Sequence, residues 1–489
     1  MADHDIKGGN RPPSQGRTWI VLFLMVAVVL AAGGIIAFRQ LANRPVNHSD
    51  IREHFKYGSI GSENSNGIPY WIWKVLPEMF PEKLPGKGYA SLGLITEPGK
   101  DTPIGFSERK VFIKLVGLNC AVCHSGTYRE SPGSQPAIVL GMPANKFDLQ
   151  SYLNFLSACA QDERFNPESV LGAIGKMGGK LGFVERLIYS QFAIPQTKKA
   201  LLQQSKDLDF MSVAPKWGPG RVDTFNPYKA LKFHFPMHRL PAWELIGAAN
   251  LPAVWDQRDR EGMHLHWDGN NTSVDERNKS AALGAGVTPT SIDLPRIQRV
   301  ADWLWTLPAP KYPFPIDQQR AAQGQPIYEE KCASCHSFGQ AWVGQITPIG
   351  QIGTDPARLN SYTYEFLCNQ NTLFTGYPWR FKHFRKTNGY ANRPLDGIWL
   401  RSPYLHNGSI PTLRDLLEKP DQRPKTFFRG YDVFDQQRVG FRSDVPEEGD
   451  HHFFPYDTAV PGNGNGGHLY GTELEPAEKD ALVEYMKTL

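Results

Sequence analysis

The sequence predicts a mainly α protein built from two tandem modules behind an N-terminal transmembrane helix. Three observations predict it: an uncharged apolar run near the N-terminus, a Cys-x-x-Cys-His pattern that occurs twice, and helically spaced apolar residues that close each half.

With 489 residues, 40% of them hydrophobic and 21% charged, the chain is too apolar for disorder and long enough for roughly two to four domains. A formal net charge of +4 excludes the broad basic footprint of a nucleic-acid binder, so no nucleic-acid partner is expected. The 46 glycines and 39 prolines point to much loop and few long regular elements.

Thr18 to Phe38 carries no charge and is bounded by Arg17 and Arg39. At about 1.5 Å per residue this run spans the ~30 Å hydrocarbon core of a bilayer. It is longer than the apolar part of a cleaved signal peptide, which favours an uncleaved anchor. Lys7, Arg11 and Arg17 on one side are balanced by Arg39 and Arg44 on the other, so the charges do not orient it.

Four of the six cysteines lie in Cys120-Ala-Val-Cys123-His124 and Cys332-Ala-Ser-Cys335-His336. This is the c-type haem attachment pattern: two thiols three residues apart reach two vinyl groups on one porphyrin edge, and the adjacent His offers an imidazole to the iron. A redox CxxC or half of a zinc site would not explain a His following both copies. Two covalently bound haem c groups are therefore expected, held by Cys120, Cys123, Cys332 and Cys335, with His124 and His336 as iron ligands. Because haem c is attached outside the bacterial inner membrane, the expected location is single-pass in that membrane, with the catalytic domains in the periplasm. Cys159 and Cys368 remain, either as a disulfide or as two separate buried thiols.

The expected organisation is a cytoplasmic tail at 1–17, the anchor at 18–38, a polar tether at 39–65 and an N-terminal haem domain with a long insertion at 66–308. A proline-rich linker at 309–316 and a C-terminal haem domain at 317–489 complete it. Pro308, Pro310, Pro313 and Pro315 favour an extended connector there. Ile297, Val300, Leu304 and Leu307 close the first half at helical spacing, and Leu482, Tyr485, Met486 and Leu489 close the second, as in two diverged copies of one module. Helices are also expected before each motif, one capped by Ser107 and running to Leu118, the other from Arg320 to Lys331.

A second strong ligand on an iron makes an electron carrier, and an open face makes a catalyst. His468 lies in the glycine-rich loop Pro461 to Gly471, which can approach a flat cofactor closely, and ranks first as the second ligand opposite His336. His406, in Tyr404 to Leu413, is its competitor. His264, His266 and Trp267 fall together in Gly262 to Asn270, either as a strand entering a turn or as a functional group with Trp267 between the cofactors. His234, Met237 and His238 are further distal candidates.

The two CxxCH motifs, HWDGN at 266–270 and YLHNGSIPTL at 404–413 resemble the bacterial dihaem cytochrome c peroxidase superfamily, which includes MauG-like enzymes. With GIPYWIWKVLP, GYASLG, PIGFS, GPGRVDTFNP, ERNKSAALGAG and GNGNGGHLYG, the pattern is more similar to the branch typified by the dihaem rubber oxygenase, over roughly residues 66–489. The resemblance implies a bridging tryptophan at Trp267, an N-terminal haem with an open or weakly held distal face, and a bis-His C-terminal haem using His336 and His468. It also implies a phenylalanine before that tryptophan, where this chain has His266. His266 at that place is suited to acid–base work or to ligation.

The expected function is a membrane-anchored dihaem oxidoreductase that reduces peroxide or activates dioxygen at the N-terminal haem. Its catalytic residues are Trp267 and His266, and its partners an electron donor or acceptor in the periplasm or membrane. The alternative is a non-catalytic electron-transfer cytochrome with both haems six-coordinate.

Overall fold

The computed structural model describes residues 25–26 and 44–489. The run expected to anchor the chain, residues 18–38, lies outside the described residues apart from Met25 and Val26. Among the described residues no helix is long and apolar enough to cross a membrane. The longest have 14 residues, about 21 Å, against the ~30 Å of a bilayer core. The expected transmembrane helix, and the inner-membrane localisation drawn from it, are corrected accordingly.

Sheet accompanies the helices expected of a mainly α fold: among the described residues 40% are helical and 13% lie in strands. Strands Arg44–Pro45 (β1), Ile68–Pro69 (β2), Phe106–Val111 (β3) and Ile113–Leu118 (β4) form an antiparallel sheet in the order β1-β3-β4-β2. Phe106 pairs with Leu118 and Val111 with Ile113, so the segment expected as a Ser107-capped helix is a hairpin. The remaining strands are short two-stranded pairs, among them Arg221–Asp223 with Ala248–Asn250 and Ile346–Pro348 with Gly389–Ala391.

Helix forms within the described part of the stretch expected as a polar tether. Ile51–Tyr57 (α1) starts at Asp50, whose carboxylate accepts the Glu53 N–H at 2.9 Å, and it buries Phe55 and Tyr57. Leu294–Thr306 (α2) starts at Asp293, which accepts from Arg296 N, and buries Ile297, Val300 and Leu304. These two helices meet through Phe55 and Trp303, with ring centroids 5.1 Å apart.

The second half repeats the arrangement. Gln318–Lys331 (α3), capped by Asp317 and running into Cys332, crosses Pro476–Met486 (α4), with Tyr328 and Tyr485 5.1 Å apart. Gly324 lies at that crossing, where an added Cβ would stand 2.0 Å from the Ala481 carbonyl oxygen. In the first half α1, between β1 and β2, packs on the closing helix, and in the second half the helix that runs into the CxxCH motif does so.

Candidate haem-binding site

His124 follows a tight turn, Cys120–Val122, that Asn119 caps by accepting the Ala121 N–H at 2.9 Å. His336 ends the short helix Ala333–His336. The two imidazoles are held in the same way: His124 Nδ1–H donates to the Pro252 carbonyl at 2.9 Å, and His336 Nδ1–H donates to the Arg393 carbonyl at 2.7 Å. That bond fixes the tautomer, leaving Nε2 as a bare lone pair fit for a metal. Burial depresses His124 to about 4 and lowers His336, so both are neutral at physiological pH.

The thiols argue against a reactive redox pair. Burial pushes Cys120 up to about 11, and Cys123 and Cys332 up to about 12, the reverse of the lowered thiols of reactive CxxC pairs. All six cysteines are free. No three His, Cys, Asp or Glu side chains gather to hold a metal ion among the described residues. Cys159 is buried in the N-terminal core and Cys368 is exposed on the helix Tyr364–Gln370, so they do not form a disulfide.

His468 faces His336, with ring centroids 6.2 Å apart. Two imidazoles bound to opposite sides of one metal ion through Nε2, at about 2.0–2.1 Å each, place their centroids about 6.3 Å apart. The gap therefore fits an iron with its macrocycle between the rings. Burial depresses His468 to about 3, with His336 adding to the effect, and its Nδ1 is a buried atom with no partner.

The loop carrying His468 is tied down by backbone carbonyls. Arg423 Nη1–H donates to Asn465 O at 2.6 Å and Gly467 O at 2.8 Å, and its Nη2–H to His468 O at 3.1 Å. Asn407 Nδ2–H donates to Gly462 O and Gly464 O. Gly467, at φ +72°, passes so close to Gly353 that a Cβ would stand 2.3 Å from its carbonyl carbon. His406 points elsewhere: it is buried, stacks on Tyr390 at 4.0 Å and shares a 3.0 Å hydrogen bond with the Tyr390 hydroxyl.

Trp267 joins the two stretches that hold the CxxCH histidines. Its indole N–H donates to Asn250 O at 2.7 Å, two residues before Pro252. On the other side its ring lies under the Arg393 guanidinium at 4.8 Å, and its carbonyl accepts the Ala391 N–H.

His266 adopts φ +62°, uncommon for a residue with a Cβ. Its Nδ1–H donates to Asn270 Oδ1 at 2.5 Å, and its ring stacks on Phe384 at 6.3 Å. Burial depresses it to about 4, so the ring is neutral at physiological pH and Nε2 keeps its lone pair. His264 Nδ1–H is used locally, on Gly269 O. His234 and His238 are exposed, and Met237 packs in an apolar cluster with Phe210 and Trp217.

Sequence reasoning missed Pro252 and Arg393, because a backbone carbonyl acceptor leaves no mark on residue type. It also missed Arg277, whose charge reaches both His124 and His266.

Residues 389–428 match a family described as RoxA-like, cytochrome c-like. That segment carries Arg393, which holds His336, and His406. Two relatives come from Sinorhizobium fredii (strain NBRC 101917 / NGR234). The uncharacterized protein y4iM is 31% identical over 280 residues, 49% of this chain and 64% of that protein. The uncharacterized protein y4iJ is 26% identical over 573 aligned positions, 96% of this chain and 89% of that protein. The chain thus spans just under two thirds of y4iM and most of y4iJ. The match relates residues 389–428 to RoxA-like cytochromes c, a likeness that implies haem c. It does not establish membership of the wider dihaem peroxidase and MauG superfamily.

Proposed function

We propose that the chain is a dihaem c-type oxidoreductase with one catalytic and one electron-exchanging centre. The observation that carries the reading is the contrast between the two histidine sites. His336 has a facing imidazole, His468, at the spacing of a shared metal. His124 has no ring contact with another histidine among the described residues. Bound at these sites, haem supplies one-electron redox chemistry, used at the His124 site for peroxide reduction or dioxygen activation.

The chain's own residues divide the remaining work. Cys120 and Cys123, and Cys332 and Cys335, attach the two groups, and the Pro252 and Arg393 carbonyls keep the two CxxCH imidazoles oriented and electron-rich. Trp267, pinned between those stretches, provides an aromatic path across the interval. His266, neutral and with the lone pair of Nε2 available, accepts a hydrogen bond beside the catalytic site, while Asn270 prevents the ring from turning. The domain limits proposed from the motifs, 66–308 and 317–489, give each half one attachment site.

The test is the haem content and spin state of the purified protein. Two haems per chain, one low-spin and one high-spin in the oxidised state, are expected, with a ligand such as carbon monoxide binding one of them on reduction. Two low-spin haems that bind no ligand would leave only the electron-transfer alternative. In Trp267→Phe, electron exchange between the centres should slow at least about tenfold, the rate equivalent of about 1.4 kcal/mol; an unchanged rate makes Trp267 a packing residue.

A further inference from the structure

Arginine does not shed its charge in proteins, and a buried guanidinium is ordinarily paired. Arg260 and Arg401 share one carboxylate: the Nη2–H groups of both donate to Asp396 Oδ1, Arg401 at 2.8 Å. Their side chains are only 6% and 10% exposed. Arg260 Nη1–H is taken by Trp255 O and Asp256 O, and Arg401 Nη1–H by Pro394 O. Arg401 Nε stays buried without a partner, and Asp256, whose charge also reaches Arg260, stands beside Asp396.

Two more guanidinium groups join them with no carboxylate of their own. Arg393, three residues before Asp396, lies over Trp267, and Arg277 donates only to Asn278 Oδ1 at 3.3 Å. Neither forms an ion pair among the described residues. Burial, with the neighbouring arginines adding to it, holds Arg393 well below the usual arginine range and Arg277 down to about 10. Asp396 and Glu261 are the carboxylates whose charge reaches this pair. The charges of Arg277 and Arg393 act on His124, and that of Arg401 on His336.

Four guanidinium groups largely withdrawn from water, among which Asp396 is the one carboxylate hydrogen-bonded within the described residues, call for anions from outside the chain. We propose that Arg260, Arg277, Arg393 and Arg401 form one anion seat shared by both porphyrins, taking carboxylates from each. The inference rests on the dihaem reading. A porphyrin attached through its vinyl groups carries its two carboxylates on the opposite edge, and the guanidinium fork matches a carboxylate in two parallel hydrogen bonds. A carboxylate on Arg393 would also offset the cation over Trp267, easing transient positive charge on the indole.

The test uses the full-length holoprotein, with haems per chain counted by mass before its two midpoint potentials are titrated in Arg277→Gln, Arg401→Gln and the corresponding Lys variants. Removing a positive charge favours the oxidised state, so each Gln variant should lower both potentials. It should also make them pH-dependent between about pH 5 and 8, as an unpaired carboxylate starts to titrate. The Lys variants should restore most of the wild-type behaviour. If one potential moves and the other does not, or neither moves, the shared seat is wrong while the dihaem reading stands. Fewer than two haems per chain overturns both. Should the Gln variants fail to fold, the carboxylate bands in a redox infrared difference spectrum of the wild type and Arg401→Lys decide it: a perturbation seen on reducing either haem supports a shared seat, and one seen for a single haem refutes it.

Discussion

His468 shows how much one position can carry. Its φ of +46° is an uncommon conformation for a residue with a Cβ, and its Nδ1 has no partner although it is buried. Both costs are borne where the ring meets His336. His468→Gly should therefore cost one of the two irons its bis-imidazole low-spin EPR signal and replace it with a high-spin one. His406→Gln, which can keep a hydrogen bond to Tyr390, should leave that signal in place. The opposite pattern would exchange the roles of the two histidines. His468 stands out in the sequence because glycines surround it, a composition with a direct physical meaning. The Pro252 and Arg393 carbonyls were not, since any residue presents the same acceptor.

At the level of elements, legibility followed the source of stability. The helices α2, α3 and α4 are written in the chain itself: Asp293 and Asp317 cap the first two, Glu478 accepts the Glu475 N–H at 2.9 Å at the start of the third, and apolar residues recur on one face of α2. The β3–β4 hairpin was hidden because its buried positions include Ser107 and Arg109, which break the apolar alternation. Arg109 is tolerated there by partners distant in sequence, Glu63 at 3.7 Å, Asp293 at 3.8 Å and the Ser59 hydroxyl at 3.1 Å. The α3–α4 crossing makes the sharpest prediction at this scale. Gly324→Ala places a methyl group against the Ala481 carbonyl and should cost about 1–3 kcal/mol in denaturant titration, despite the better helix propensity of alanine. Gly172→Ala, in the helix Pro167–Lys176 where a Cβ meets nothing within 4 Å, should instead be neutral or stabilising by up to about 1 kcal/mol. Equal effects at the two sites would mean that the crossing is not tight.

Over the whole molecule, the two modules read from the motifs are interlocked. Tyr312 and Phe314, in the proline-rich connector, pack edge-on to Tyr128, Trp399 and Phe434, and Trp255 shares a buried cluster with Trp399 and Leu482. Arg129 and Asp432 bind across the halves through backbone and side chain, the Arg129 Nε–H donating to Asp432 Oδ1 at 2.6 Å and the Thr127 hydroxyl donating to Oδ2 at 2.6 Å. Burial alone would raise the Asp432 pKa, but Lys146, Thr127 and Arg129 outweigh it and hold the group below the usual carboxylate value. A depressed folded-state pKa gives stability that is fully present above the unfolded value, near 3.8, and lost as pH falls through the lower folded value. This clasp should thus be constant between about pH 5 and 8 and fail only in acid. Asp432→Asn leaves Arg129 with the more exposed Glu448 as its remaining carboxylate and should cost about 3 kcal/mol. Because the clasp joins both halves, the absorbance of both haems and the far-ultraviolet dichroism should shift together to lower denaturant, in one transition. If one haem shifts and the other does not, the halves unfold independently, and the boundary read from the two motifs is also the boundary of cooperativity.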